Sequence, residues 1–435
     1  MNTKTFQIDF LNLVFSMAKV VDVMSPVLSD HHMKVAYFAY RLAEELDLPE
    51  KDRYSLAMAG AIHDIGAFSL NERLDLLEFE DKEPGRHSLA GYLLLKDFEP
   101  FFDISKIIKH HHVPWANGKG AWYGTEGIPI GSHIIHLADR IAVKISKKKN
   151  VLSQINGICD AISSNSKDIF VEEHVDAMKR LAERDYIWFD ACSDNLQGIL
   201  RSIIPERTTT ISIDLMFEFS RIICCLIDFK SEFTATHSSG VAATAVAISK
   251  CLVFSTNEQK QIGISAFLHD IGKLAVPSEI LEKPGKLTDD EWYVMRSHVY
   301  YTHQILRSIN IPSIISDWSA LHQEKINGKG YPFGYGGDDL PLGARIITVA
   351  DIFTALTEDR PYRQGMSQEA TKNVLQSMAD KEEIDQLLIN IVFSNFDELN
   401  DIRVEAQEKA NEDFLSFQMA LNDESSISNM TNTFV

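Results

Sequence analysis

The sequence contains no long uninterrupted apolar run. Its most apolar stretch, residues 211–229, is broken by Asp214, Glu218, Arg221 and Asp228, whereas a helix that crosses a membrane needs about 20 predominantly apolar residues. The first ten residues, MNTKTFQIDF, also lack the basic start, apolar core and cleavage site of a secretory signal peptide. We therefore expect neither a membrane segment nor a secretory signal.

Cysteine and positive charge are scarce as well. Five cysteines in 435 residues, with no CxxC pair, indicate reduced thiols and a cytoplasmic protein. Lys and Arg total 42 against 62 Asp and Glu, a net charge of −20, which argues against a protein that coats polymeric nucleic acid. A small anionic substrate is not excluded, because bound metals and a few cations can make one pocket positive. The apolar fraction of 45% and the chain length suit a globular protein of two or three domains.

An internal repeat organises the chain around its histidines. His31 precedes His63 by 32 residues, and His237 precedes His269 by the same 32 residues. His63 and His269 each begin an HDIG string, and two further histidines and an aspartate follow each string at similar distances. A repeat of five landmarks in the same order indicates two domains of one kind.

Apolar residues recur at helical spacing through most of both copies, and no alternating pattern persists long enough to predict a sheet. We predict an all-α protein of two tandem helical domains, covering residues 1–205 and 206–422. Residues 151–200 are expected to form a helical bridge, and residues 423–435 a disordered tail. We also expect the two domains to bury apolar helix faces against each other.

The second copy offers side chains suited to divalent metals, namely His237, His269, Asp270, His298, His322 and Asp351. Imidazoles mixed with carboxylates favour ions such as Fe, Mn, Zn, Co or Ni. A buried carboxylate is costly unless it is paired or bound to metal, and the two oxygens of Asp270 can bridge two ions. A single histidine on an apolar helix is usually structural, but landmarks that recur in a second copy favour metal binding. Two metals that share Asp270 would polarise a phosphoryl group and activate water, which predicts phosphoester hydrolysis.

Four strings in the second copy, HDIGK, PGKLTDDEWYVMRSH, GKGYP and ADIFTALTEDRPYR, resemble the motifs of the HD-GYP phosphodiesterases of the HD superfamily. The resemblance covers roughly residues 229–373 and implies that the second helical domain is of the HD-GYP type, with Fe or Mn as its metal. It implies hydrolysis of a 3′–5′ bond of a bacterial cyclic dinucleotide to the linear 5′-phosphorylated dinucleotide. By position it implies that the six side chains named above are metal ligands and that Asp270 and Lys273 are catalytic. As contacts of the substrate phosphates we consider Lys273, Arg307 and Lys329.

The second copy departs from this family at one position. The family usually shows two consecutive histidines before the GYP loop, whereas here His322 is followed by Gln323. An amide oxygen competes poorly with imidazole for these ions. We therefore predict two divalent metal ions rather than three.

The first copy resembles a degenerate HD domain. It keeps a candidate second metal set, which consists of His31, His63, Asp64, His87, His112 from the run 110–112, and Asp139. However, it has Ala67 where the second copy has Lys273, and Gly120-Ala121-Trp122 where the second copy has GYP. We therefore expect this domain to bind metal without turning over a cyclic dinucleotide.

The tandem arrangement is similar to that of the bacterial 3′3′-cGAMP phosphodiesterases, and it leaves 3′3′-cGAMP and c-di-GMP both open as substrates. The alternative functions are those of an HD-type nucleotidase and of a non-catalytic cyclic-dinucleotide receptor. The intact GYP and DRPYR strings argue against the nucleotidase, and the complete ligand set with Lys273 argues against the receptor.

Overall fold

The computed structural model describes residues 5–23, 30–67, 84–146, 148–207, 209–228, 236–281, 283, 285–308, 311–359 and 363–431. Its contacts divide the chain into two compact units. The N-terminal unit comprises residues 11–207 and 418–435, and the C-terminal unit comprises residues 1–10 and 208–417. Residues 1–10, which the sequence analysis places in the first domain, are grouped with the C-terminal unit because a strand at residues 5–8 pairs with one at residues 209–212.

In chain order, the elements of the first half are β1 (Thr5–Ile8), α1 (Phe10–Val23), α2 (His31–Glu45), α3 (Glu50–Ile62), α4 (Pro84–Leu95), α5 (Phe102–Lys109), β2 (Trp122–Tyr123), β3 (Glu126–Gly127), α6 (Ile130–Lys144), α7 (Ile155–Ser163), α8 (Glu172–Ala182), α9 (Asp185–Ala191) and α10 (Leu196–Ile203). Those of the second half are β4 (Thr209–Ser212), α11 (Ile213–Asp228), α12 (His237–Cys251), α13 (Thr256–Leu268), α14 (Ser278–Leu281), α15 (Asp289–Ser308), α16 (Ser313–Ala320), α17 (Leu342–Thr357), α18 (Gln368–Asp380), α19 (Gln386–Ser394) and α20 (Phe396–Thr431). Short 3-10 turns cover Ala116–Ala121 and Ile271–Ala275. The described strands have four residues at most, so the prediction of an all-α protein is confirmed.

Each unit is built around the same three helices. In the N-terminal unit α2 packs against α3 and α6, and in the C-terminal unit α12 packs against α13 and α17. Helix α13 begins at a capping box, in which Glu258 accepts from the backbone N–H of Ser255 at 2.8 Å. Its last eight residues, Gln261–Leu268, are all buried, as expected of a helix that is apolar on every side. These central helices, or the residues directly after them, supply the first histidine, the HD pair and the last aspartate of each repeat.

Helix α20 continues to Thr431, within the segment 423–435 for which the sequence predicts disorder. Residues 396–431 contain neither Gly nor Pro, so no residue of low helix propensity interrupts the helix. None of the described helices combines the length and apolar character needed to cross a bilayer. No disulfide joins any of the five cysteines, all of which lie within the described residues.

Candidate metal centres and the comparisons with known proteins

The C-terminal unit brings all six predicted ligands together. His237 is the first residue of α12, His269 and Asp270 follow α13, His298 lies on α15, His322 follows α16 and Asp351 lies on α17. The ligand atoms form two groups, each within 4.8 Å: His237, His269 and Asp351 in one, and His269, Asp270 and His322 in the other.

Asp270 lies at the centre of this arrangement, and each of its oxygens faces different partners. Oδ2 is 3.2 Å from His269 Nε2 and 2.5 Å from Lys273 Nζ. Oδ1 is 3.3 Å from His298 Nε2 and 3.8 Å from His322 Nε2. Burial alone would raise the pKa of Asp270, but the charges of His269 and Lys273 outweigh it and hold the pKa well below its usual range. This carboxylate is therefore ionised, with imidazoles beside both of its oxygens.

The histidines present their Nε2 atoms to the centre because their Nδ1 atoms are already engaged. The Nδ1–H groups of His269, His298 and His322 donate to the carbonyl oxygens three residues earlier, at 2.6, 2.6 and 2.7 Å. Their Nε2 atoms are buried and make no hydrogen bond, although a buried polar atom normally has a partner. Burial lowers the pKa of His322 to about 3, so this imidazole is neutral, as a metal ligand must be. The unpartnered Nε2 atoms of these three histidines, together with the nearby carboxylates of Asp270 and Asp351, form a set of donor atoms suited to a divalent metal.

A glycine allows the HD turn to approach helix α15. A Cβ atom added at Gly272 would lie 1.8 Å from the carbonyl oxygen of His298. In the N-terminal unit a Cβ added at Gly66 would lie 2.2 Å from the carbonyl oxygen of His87. The glycine of each HDIG string therefore sets the distance between the aspartate and the next histidine ligand.

The GYP loop closes one side of the C-terminal centre. Buried Glu324 accepts from the backbone N–H groups of Phe333 and Gly334 at 2.7 and 3.1 Å, which fixes the loop. The Tyr331 hydroxyl donates to Gln323 Oε1 at 3.1 Å. Burial, together with the carboxylates of Asp270 and Asp351, raises the pKa of Tyr331 to about 12 against the opposing charge of Arg296. Gln323 thus serves as a hydrogen-bond partner of the loop tyrosine at the position where the family usually has a histidine.

The two predicted phosphate contacts other than Lys273 are exposed. Arg307 lies nine residues beyond His298 on α15, roughly 13 Å further along the helix axis, so the structure does not bring it to the ligands. Lys329 lies in the GYP loop, where its backbone N–H donates to Asn327 at 3.1 Å. Arg296, which the sequence analysis did not single out, stacks its guanidinium on the Tyr331 ring at 4.5 Å.

The N-terminal unit repeats the arrangement with its own residues. His31 Nε2 lies 3.3 Å from Asp139 Oδ1, His63 Nε2 lies 3.1 Å from Asp64 Oδ2, and His87 Nε2 lies 3.4 Å from Asp64 Oδ1. The ligand atoms form two groups, each within 4.8 Å. One group consists of His31, His63 and Asp64, and the other of Asp64, His87, His111 and His112. All six predicted residues of this set therefore lie in or beside one cluster.

His111 belongs to this cluster as well, in addition to the predicted His112 from the run 110–112. Its Nε2 lies 3.6 Å from Asp64 Oδ1, and its Nδ1 donates to the carbonyl of Ile108 at 2.7 Å. This is the geometry of His322, so His111 is its counterpart and His112 is the counterpart of Gln323. Consecutive residues point about 100° apart around a helical turn, and the sequence alone does not say which one faces Asp64.

The cations around the two centres differ. Ala67, which replaces Lys273, is completely buried. Instead, the guanidinium of buried Arg140 donates to Asp139 Oδ2 through Nη2 at 2.6 Å and Nε at 3.0 Å. In the C-terminal unit the residue after Asp351 is Ile352. In the N-terminal centre the arginine therefore contacts Asp139, the last aspartate of the set, whereas in the C-terminal centre the lysine contacts Asp270 of the HD pair.

Family models for the HD domain match residues 28–144 and residues 221–388. The chain is 28% identical to 3′3′-cGAMP-specific phosphodiesterase 1 of Vibrio cholerae, over 88% of this chain and 90% of that protein. It is 39% identical to the cyclic di-GMP phosphodiesterase PA4108 of Pseudomonas aeruginosa, over 31% of this chain and 33% of that protein. A crystal structure of a cyclic GMP-AMP-specific phosphodiesterase of V. cholerae, V-cGAP3, shares the fold, with a TM-score of 0.61 and 22% identity over 92% of this chain and 98% of that chain.

These matches confirm the resemblance seen in the motifs. Each half of the chain carries an HD domain, and the chain belongs to the HD superfamily.

Proposed function

We propose that the C-terminal unit is a metal-dependent phosphodiesterase that opens a 3′–5′ phosphodiester bond of a bacterial cyclic dinucleotide. The product is the linear dinucleotide with a 5′-phosphate. The observation that carries this proposal is the position of Asp270, whose two oxygens face two sets of imidazoles while Lys273 lies 2.5 Å from one of them. When bound there, two divalent metals supply Lewis-acid polarisation of the phosphoryl group and activation of water.

The chain's own residues supply the remaining requirements of phosphodiester cleavage. The Lys273 ammonium group lies beside Asp270, on a side chain that is 17% exposed, and in this position it can offset the negative charge that develops on the phosphoryl oxygens. Arg296 makes no ion pair with a described residue, and it is held over the Tyr331 ring beside the ligands. We therefore assign phosphate contact to Lys273 and Arg296, and to Lys329 of the GYP loop, and we place Arg307 outside the site.

Two metals, with Fe or Mn as the expected ions, fit the donors of the C-terminal unit. Six protein side chains are more than one ion with an open position can use. A third ion would need a donor at residue 323, and the amide oxygen of Gln323 is already the acceptor of the Tyr331 hydroxyl. The count of two therefore follows from the donors available.

Among cyclic dinucleotides, 3′3′-cGAMP is the substrate we favour. The similarity to the V. cholerae enzyme named for 3′3′-cGAMP extends over both halves of the chain, whereas that to the c-di-GMP enzyme of P. aeruginosa covers about a third. For the N-terminal unit we propose metal binding without turnover. Its HD aspartate has no lysine partner among the residues that the structure describes, and Arg140 occupies one oxygen of Asp139.

The experiment is incubation of the purified, Mn- or Fe-loaded chain with 3′3′-cGAMP, c-di-GMP and mononucleotides, with products identified by mass spectrometry. We expect a linear dinucleotide of 5′-phosphate type from 3′3′-cGAMP, with slower cleavage of c-di-GMP. Hydrolysis of mononucleotides alone would favour an HD-type nucleotidase. Tight binding of a cyclic dinucleotide without cleavage would favour a receptor.

A further inference from the structure

His237 is held differently from the other histidines of the C-terminal centre. The remaining three donate their Nδ1–H groups to carbonyl oxygens of the turn that precedes them. His237 is the first residue of α12, so no helical turn precedes it. Its Nδ1–H instead faces the carboxylate of Glu358, at 3.0 and 3.1 Å from the two oxygens. Its Nε2 lies 3.1 Å from Asp351 Oδ1 on the metal side.

Glu358 is a buried carboxylate placed by the helix that also carries Asp351. It stands at the end of α17, seven residues after Asp351, and seven residues are close to two helical turns. The two carboxylates therefore lie on one face of the helix, on either side of the His237 ring. Glu358 is 5% exposed, and burial of a charge at this depth requires hydrogen-bonded partners.

One such partner comes from the long helix α20. Gln407 Nε2 donates to Glu358 Oε2 at 3.0 Å. The guanidinium of buried Arg403 donates to Gln407 Oε1 and orients its amide. Gly240, one turn after His237, provides the space for the Gln407 side chain, because a Cβ atom at residue 240 would lie 3.0 Å from Gln407 Cδ. Through Gln407, helix α20 therefore positions the Glu358 carboxylate, and Glu358 in turn positions the His237 ring.

We infer that Glu358 and Gln407 are positioning residues for His237, and that helix α20 thereby tunes metal affinity at the C-terminal centre. The inference rests on the proposed metal-dependent function of this unit. A carboxylate on Nδ1 fixes the tautomer and the ring orientation of a ligating imidazole and increases its basicity at Nε2. A backbone carbonyl provides the orientation with less gain in basicity.

No described residue of the N-terminal unit is a counterpart of the Glu358 carboxylate. Seven residues after Asp139 the chain has Ser146, where the C-terminal unit has Glu358. The backbone N–H of Ser146 donates to Gln154 Oε1 at 2.8 Å, and its carbonyl accepts from Gln154 Nε2 at 3.0 Å. The carboxylate on the first histidine is therefore specific to the unit to which we assign turnover.

The test is Mn²⁺ binding by the full chain without any nucleotide, measured from the free-ion electron paramagnetic resonance signal. Glu358→Gln retains the shape and a hydrogen-bond acceptor but removes the charge. We expect the Mn²⁺ concentration for half-occupancy of the weakened sites to rise roughly 10–100-fold. Gln407→Ala should shift it in the same direction by less, and Glu358→Asp should recover part of the loss. The matched control is Glu412→Gln, an exposed residue of the same helix, which should bind Mn²⁺ as the unaltered chain does.

A second readout separates positioning from general damage. Because Gln407 acts through Glu358, the double variant Glu358→Gln/Gln407→Ala should bind Mn²⁺ no more weakly than Glu358→Gln alone. At saturating Mn²⁺, kcat should return toward the value of the unaltered chain. Unchanged half-occupancy in a folded Glu358→Gln variant, or fully additive losses in the double variant, would overturn the inference. Loss of Mn²⁺ affinity in a chain that cleaves no cyclic dinucleotide would leave the inference standing and refute the proposed function.

Discussion

The pairing of Asp270 with Lys273 distinguishes the two metal centres most clearly at the level of single residues. Both HD aspartates are buried among imidazoles, but among the described residues only Asp270 has a lysine on one oxygen, and the residue equivalent to Lys273 in the N-terminal unit is Ala67. A cation beside the centre attracts the phosphodiester and stabilises the charge that grows as its bond breaks. The difference between the two units therefore follows from one side chain as much as from the GYP loop.

Replacing Lys273 by Ala should lower kcat by roughly 10²–10³-fold, the usual cost of removing one group that stabilises developing charge. Metal content should stay near that of the unaltered chain, because all six ligands remain. The measurement is kcat at saturating substrate with elemental analysis of the same sample. Lys273→Arg retains a cation and serves as the control, with a smaller expected loss. An unaltered kcat in Lys273→Ala would remove this residue from the catalytic machinery.

Replacing Gln323 by His should add one metal ion per chain. The new imidazole would lie beside His322, in the position that His112 occupies next to His111 in the N-terminal unit, and imidazole is a better donor than an amide to these ions. Elemental analysis of the two full-length proteins, loaded and desalted side by side, gives the difference directly. An identical metal count in both proteins would show that residue 323 does not limit the number of ions.

At the scale of elements, the sequence predicts the central helices well because burial on all sides leaves a clear pattern. Helices α3 and α13 end at their HD pairs, as the apolar runs before these pairs indicate. The pairing of β1 with β4 joins residues about 200 positions apart through four-residue strands, and no local pattern reveals such a contact. Arg296 is placed beside the centre by the GYP loop that it stacks on, which is a tertiary contact and also invisible in the sequence. Glu358 could have been found, because a spacing of seven residues puts it on the helix face of Asp351.

Replacing Gly272 by Ala should push the HD turn away from α15. The added Cβ atom would overlap the His298 carbonyl, and such overpacking typically costs about 1–3 kcal/mol. We expect a lower Tm and a loss of bound metal and turnover. Gly66→Ala is the matched control, because it introduces the same clash against His87 in the N-terminal unit and should leave turnover largely intact. Equal loss of turnover in both variants would contradict the assignment of separate roles to the two HD turns.

At the scale of the whole molecule, the buried histidines are distributed unevenly. Burial lowers the pKa of seven histidines in the N-terminal unit, which are His31, His87, His110, His112, His133, His136 and His174. There only His63 has a raised pKa, to about 9, where the charge of Asp64 outweighs burial. In the C-terminal unit the pKa values of His303 and His322 are lowered, and those of His237 and His269 are raised. Without metal, the two units should therefore respond differently to acid.

A histidine with a lowered folded-state pKa takes up its proton in the unfolded chain first, so acidification below pH ~6.5 favours unfolding. A histidine with a raised pKa is protonated in both the folded and the unfolded chain in this range, so it adds no pH dependence there. Seven histidines with lowered pKa values in the N-terminal unit, against two in the C-terminal unit, predict that the metal-free N-terminal unit loses more stability between pH ~6.5 and pH ~4 than the C-terminal unit does. Hydrogen exchange, corrected for the pH dependence of the intrinsic rate, should show α2 and α3 losing protection before α12 and α13. Earlier loss in α12 and α13 would contradict the prediction.

The central claim, that cyclic dinucleotide turnover belongs to the C-terminal unit, is tested most directly by matched double substitutions of the two HD pairs in the full chain. His269→Ala/Asp270→Ala removes the histidine that belongs to both ligand groups of that unit and the carboxylate beside it, and His63→Ala/Asp64→Ala makes the matching change in the N-terminal unit. With both proteins shown to be folded, we predict that the first change abolishes hydrolysis of 3′3′-cGAMP and c-di-GMP and that the second retains most of it. Substantial hydrolysis by the His269→Ala/Asp270→Ala protein, or its complete loss in the folded His63→Ala/Asp64→Ala protein, would contradict the account.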